Sequence, residues 1–193
     1  AVFLLRLFRG AVLCAESRGE LQFTENGVSG PAAFDLSREA SVGGGGLVLD
    51  FLPEELEEEV LALLRRRREL SPEQENGSVF AGMLHSRLGM ACVRSSGIRP
   101  SGSIGTLTER ELAALAKEAK EFRLHITGTD GFDTAQVTAG GIATDEFDPE
   151  TLQSRLAPGL YACGEVLDLD GDCGGYNLQW AWASGRQAGR LKP

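Results

Sequence analysis

Residues 164–185 read GEVLDLDGDCGGYNLQWAWASG, an acidic, glycine-rich turn followed at once by an apolar helix. Just before it, Gly159 to Cys163 (GLYAC) follows a proline and carries no charge, which predicts a short buried strand. Strand, glycine turn and helix together present backbone N–H groups to an anionic or electron-rich ligand. Gly171, Gly174 and Gly175 have no side chain, so the backbone can approach a flat or phosphorylated group closely. The helix is expected to open near Asn177, a good N-cap, with its first N–H groups and its dipole directed at the same spot. Spacing alone leaves two readings, a ligand cradle or a tight connection.

The letters say more. Residues 159–189, GLYACGEVLDLDGDCGGYNLQWAWASGRQAG, resemble the carboxy-terminal flavin-binding segment of the aminoacetone-oxidase-like, or bile-acid-inducible-N-like, bacterial NAD(P)/FAD-dependent oxidoreductases. Residues 136–154, QVTAGGIATDEFDPETLQS, are similar to the segment that precedes it in that family. Residues 19–38, GELQFTENGVSGPAAFDLSR, are similar to the family's middle motif. The three stretches keep the family's order.

This resemblance implies an α+β fold in two parts. Residues 1–135 would form an inserted substrate or cap domain, with a small, mostly antiparallel, barrel-like sheet and helices. Residues 136–193 would be the strand-turn-helix end of a two-part, Rossmann-like FAD-binding domain. The resemblance further implies FAD as cofactor, NAD(P)H as electron donor and an unidentified small-molecule substrate. On the matching positions, Gly141, Gly164, Glu165, Asp168, Gly174, Gly175, Tyr176, Asn177 and Leu178 would bind the cofactor. Glu165 would accept from ribityl hydroxyls, and Gly174 and Gly175 would let the backbone lie against the ring. The N–H groups near Asn177 and Leu178 would face the pyrimidine carbonyls. No side chain is identified as a catalytic acid or base.

The amino-terminal half of that family carries a G-x-G-x-x-G βαβ unit for the ADP part of FAD. The nearest candidate here is Gly43 to Gly46, which precedes a strand-like LVLDF rather than a helix and lacks the last glycine, so it reads as a loop. The expectation is a fragment of a larger enzyme, its partner being the missing half, that by itself is inactive and binds FAD weakly or not at all. Two alternatives remain at this point: a non-catalytic binding or interaction module that retains the turn, and a phosphate-ligand site without flavin.

Composition sets outer bounds. The chain has 193 residues, 42% of them hydrophobic, enough for a packed core. Its formal net charge is −9, from 28 acids against 19 Lys and Arg, which argues against nucleic acid or an anionic membrane as the main partner. No apolar run approaches the ~18 residues of a membrane span. The opening AVFLLRLFRGAVLC is interrupted by Arg6 and Arg9 and alternates like paired strands, so a cytoplasmic location is expected. Cys14, Cys92, Cys163 and Cys173 form no C-x-x-C, so neither a metal site nor a disulfide framework is expected. Cys173, inside the turn, reads either as a small filler or as a thiol activated by the helix N-terminus. An exposed sheet edge could pair two copies into a homodimer.

Along the chain, Val2 to Phe8, Ala11 to Glu16 and Glu20 to Thr24 are predicted strands, and Pro31 starts a helix to about Ala40. The Ser29-Gly30-Pro31 turn reads as a site loop or as a connection. Leu47 to Phe51 is a predicted strand and Pro53 to Arg68 a helix, with Arg65 to Arg68 as a solvated end. Ser71 to Gln74 has the form of a capping box, and Gly89 to Gly105 reads as the least structured part. Thr108 caps a helix to about Glu121 that buries Leu112, Leu115, Ala116 and Ala119, and Phe122 to Thr127 follows as a strand. His125 reads as structural, and neither it nor His85 has a triad partner. Gln136 to Ala139 is a predicted strand, and Asp148-Pro149 starts a helical turn. Trp180 and Trp182 read as packing residues.

Overall fold

The computed structural model describes residues 2–190; Ala1 and residues 191–193 lie outside the described residues, so the outer ends of the segments 1–135 and 136–193 do too. The chain is α+β, with two compact units, Ala1–Thr127 and Gly128–Pro193.

In the first unit, β1 (Val2–Arg9) turns back at Gly10, whose φ of 61° suits a glycine, into β2 (Val12–Glu20). The pairing is antiparallel from Val2 opposite Glu20 to Arg9 opposite Val12, with a bulge at Leu7/Phe8. A short ribbon of β3 (Gln22–Phe23) and β4 (Val28–Ser29) then leads into α1 (Pro31–Ser41), with proline at its start as the sequence predicts. β5 (Gly45–Asp50) pairs antiparallel with the other side of β1, and β6 (Phe122–Ile126) with β5, for an order β2-β1-β5-β6. Alternation along β1 sends Phe3, Leu5 and Leu7 to one face. There Phe3 and Leu5 join Leu47 and Leu49 of β5 and the apolar sides of the helices in one core, and Leu7 is likewise buried. α2 (Glu57–Leu70) contributes Val60 and Leu64; α4 (Glu109–Lys120) contributes Leu112, Leu115, Ala116 and Ala119.

Several sequence expectations are corrected here. α2 begins at Glu57, not Pro53, because residues 52–56 form a turn held from outside. Asp50 Oδ1 accepts from the Leu52 N–H at 2.9 Å, and Lys120 Nζ donates to the carbonyls of Leu52 and Glu55. Ser71 to Gln74 starts no helix. Gln74 N–H donates to Ser71 O at 3.2 Å, closing a single turn, and the Pro72 and Gln74 carbonyls accept from Gly105 N–H at 2.9 Å and Ile104 N–H at 2.8 Å, so the turn is tied to residues 104–105 instead of continuing as a helix. Residues 89–105 are not the least ordered part. α3 (Ser86–Ser95) takes in residues 89–95 and buries Cys92 and Val93. Its small residues, which read as a loop, allow contact instead: a Cβ on Gly89 would sit 3.0 Å from Phe80 Cβ. His85 caps this helix, its Nδ1 accepting from Arg87 N–H at 3.3 Å.

The arginines ending α2 are not simply solvated. Arg65 and Arg68, three apart and so on one face, converge on Glu109 at 2.8 and 2.6 Å, and Arg67 donates to the Ser78 carbonyl at 3.3 Å. They fasten the end of α2 to the start of α4. His125 is exposed on β6.

The second unit has far less core: Phe147, Ala162 and Leu167, with Trp180 packed against them. Its one α-helix among the described residues is α5 (Tyr176–Ala188). Neither Gln136 to Ala139 nor Gly159 to Cys163 is a strand. The second stretch pairs only briefly, through Ser154 N–H to Leu160 O at 2.8 Å and Ala162 N–H to Leu152 O at 3.2 Å. The turn at Asp148 forms as expected, its Oδ1 accepting from the N–H of Glu150 and Thr151 at 3.0 and 2.8 Å.

Candidate functional site

The predicted site residues all lie in the second unit. The N-cap of α5 is Gly175, not Asn177. Gly175 adopts the left-handed conformation (φ 93°), which glycine reaches without cost, and so the helix opens one residue after the Gly174-Gly175 pair. Asn177 instead braces the turn. Its Oδ1 accepts from Gly171 N–H at 2.8 Å and its Nδ2 donates to Gly171 O at 2.9 Å, closing Gly171 to Gly175 into a loop.

No side chain caps α5. Its first backbone bond to an earlier residue runs from Gln179 N–H to Gly175 O at 3.0 Å, so the N–H groups of Tyr176, Asn177 and Leu178 precede the helical ladder. The Tyr176 and Leu178 side chains are exposed. This end of the helix is a set of donors flanked by two glycines and two apolar side chains.

Gly164–Val166 forms a 3-10 turn directly beside α5. The Gly164 N–H donates to Ser184 Oγ at 2.9 Å, and Trp180 Nε1 donates to Gly164 O at 3.1 Å. Glu165 accepts from the Thr138 N–H, so in this structure its carboxylate holds the 136–139 segment. Gly141 lies flat against the same turn: a Cβ there would meet Val166 O at 2.7 Å and Asp168 N at 2.8 Å. Ile142 N–H donates to Val166 O, and Asp168 N–H to Ile142 O, both at 2.9 Å.

The nine predicted residues therefore fall in two groups joined by one helix. Gly174 to Leu178 form its N-terminus, and Gly141, Gly164, Glu165 and Asp168 gather at the turn that its Trp180 and Ser184 hold. Sequence reasoning missed Thr138 and Ser184 altogether and assigned Trp180 only to packing. The spacing of Trp180 and Ser184, i and i+4 on one helical face, is the signal that could have paired them. Trp182, predicted as a packing residue, is 74% exposed.

The electrostatics are acidic. Asp168, Asp170 and Asp172 cluster in sequence beside the donors, which disfavours a phosphate there and suits a neutral, polyhydroxylated or carbonyl-bearing group. Cys173 is exposed. Among the described residues no group of three or more His, Cys, Asp or Glu could hold a metal ion, and no helix is long and apolar enough to cross a membrane.

Residues 45–191 match the family described as HI0933-like protein Rossmann domain, and the chain belongs to that family. It is the family of oxidoreductase-like flavoproteins that residues 159–189 resemble. Over 186 residues the chain is 39% identical to the 3-dehydro-bile acid delta(4,6)-reductase of Clostridium scindens, covering 94% of this chain and 46% of that protein. It is 36% identical over 179 residues to the ribosomal RNA dihydrouridine synthase of Escherichia coli, covering 90% and 43%. The protein of the same name in Haemophilus influenzae is 33% identical over 174 residues, covering 89% and 42%. The chain thus spans less than half the length of these curated relatives.

Proposed function

We propose that these residues form the substrate-side unit and the carboxy-terminal flavin-contacting segment of an FAD-dependent oxidoreductase. The observation that carries this reading is the start of α5: three backbone N–H groups without a side-chain cap, approached over two glycines. Such donors fit the carbonyl edge of a flavin ring and preorganise the site for negative charge there. Glu165 fits the ribityl hydroxyls, in exchange for its bond to Thr138. The neighbouring aspartates fit neither phosphate of the dinucleotide, so the ADP part is assigned to a G-x-G-x-x-G unit outside these 193 residues. Bound FAD supplies the redox chemistry; the residues named here bind it, orient it and bias its electronics.

NAD(P)H is the donor we assign. The names of the relatives denote reduction of a bile acid in one case and formation of a dihydro base in ribosomal RNA in the other. A reductive direction on an unsaturated substrate is the reading they share for this chain. By itself the 193-residue chain is expected to be inactive and to retain little FAD.

Absorbance in the flavin bands tests this, comparing the purified 193-residue chain with the full natural protein that contains it. Stoichiometric flavin in the full protein alone supports a divided site. Flavin held by the short chain overturns the divided site, and its absence from both overturns the flavin reading in favour of a non-catalytic module.

A further inference from the structure

We infer that Trp180 and Ser184 are positioning residues for the cofactor site, an assignment that rests on the flavin reading above. Both backbone polar groups of Gly164 bond to one face of α5. The N–H of Gly164 donates to Ser184 Oγ at 2.9 Å, and its carbonyl accepts from Trp180 Nε1 at 3.1 Å. Ser184 is itself buried, and its hydroxyl proton goes to the Trp180 carbonyl at 2.6 Å, so its donor and acceptor roles are both used.

The residue after this clamped peptide is Glu165, and the helix that clamps it is the one whose N-terminus carries the uncapped donors. The clamp therefore sets the separation between the carboxylate and those N–H groups. Apolar packing alone does not set it, because the core at this point is only Phe147, Ala162 and Leu167 around the Trp180 ring. A ring can slide on such a surface, whereas the two directional hydrogen bonds from α5 to Gly164 define one register. Trp180 thus has a second task besides packing, and it is the indole N–H that performs it.

The test uses the full natural protein carrying Trp180→Phe, Ser184→Ala or, as a control on the exposed side of the same helix, Trp182→Phe. Two quantities are read well below the melting transition: hydrogen exchange of the Gly164 amide without flavin, and the Kd for FAD. The expected result is faster exchange at Gly164 in Ser184→Ala, and FAD binding about tenfold weaker in Trp180→Phe and Ser184→Ala, the scale of a lost buried hydrogen bond. Trp182→Phe should match the unsubstituted protein. If the unsubstituted protein binds FAD and both clamp variants bind it equally well, the positioning role is overturned while the flavin reading stands. If the unsubstituted protein binds no FAD, the flavin reading itself falls, and this assignment with it.

Discussion

Lys120 Nζ lies 2.8 Å from Asp50 Oδ2, and with side chains only 13% and 7% exposed the two form a buried ion pair between the end of α4 and the end of β5. Neither charge is left with water as its main partner. The ammonium also donates to the carbonyls of Leu52 and Glu55, and the other carboxylate oxygen accepts from Leu52 N–H. Removing one partner strands the other in a site that excludes water. Lys120→Met is expected to lower the stability of the first unit by roughly 3–5 kcal/mol, read from urea unfolding. A loss well under 1 kcal/mol would show that the pair is effectively solvated.

Thiol accessibility should divide the cysteines. Burial first, and the Glu118 charge second, push the Cys92 thiol up to about 12. Cys163 and Cys173 are exposed. At neutral pH, iodoacetamide is expected to label the last two while Cys92 stays unmodified until the chain unfolds, as mass spectrometry of tryptic peptides would record. The raised thiol also has a sign in stability. Its contribution is complete below the ordinary thiol pKa and is lost as pH rises from there toward 12, because the unfolded chain ionises first.

The cap of α4 couples helix stability to acid. Thr108 Oγ1 accepts from Glu111 N–H at 3.3 Å, and the Glu111 carboxylate accepts from Thr108 N–H at 2.8 Å, which holds the Glu111 carboxyl below its ordinary range. Thr108→Ala is expected to cost about 1 kcal/mol in a denaturant titration. Because the carboxyl is lowered in the folded state, its contribution is full above the ordinary carboxylate pKa and disappears as pH falls through the lowered value. Glu109, beside Arg65 and Arg68, and Asp148, bonded to the N–H of Thr151, shift the same way. Thermal midpoints that stay flat from neutrality to below the ordinary carboxylate range would refute all three.

Gly141 tests the close approach at the site. A methyl group at this position would stand within 2.7–2.8 Å of Val166 O, Leu167 C and Asp168 N. Gly141→Ala is expected to break the paired bonds between Ile142 and residues 166 and 168. Amide exchange at Ile142 and Asp168 should then rise by at least about tenfold, while the core helices of the first unit keep their protection. Unchanged exchange at those two amides would mean that the segment yields without cost.

What the sequence by itself determined is local or carried by unusual letters. Helix α4 was legible because its capping box and its apolar periodicity are contained in one short run. The helix at Pro31 and the strands of β1, β5 and β6 were legible for the same reason. The family was legible through the resemblance of residues 159–189, and the glycine-rich turn ahead of α5 through its composition, although spacing alone could not separate cradle from connection. The tertiary structure decided whatever depends on a distant partner. Lys120 turns residues 52–56 away from a helix, the N–H groups of Ile104 and Gly105 tie residues 72–74 down as a turn, and Phe80 converts the small residues around Gly89 into a packed helix. At the site, Gly175 rather than Asn177 starts α5, because Asn177 is occupied in bridging Gly171. Trp180 and Ser184 meet Gly164 only once the chain has turned back between them. Hydrogen bonds and packing between residues far apart in sequence decide these points, and a local pattern holds no information about which distant group will arrive.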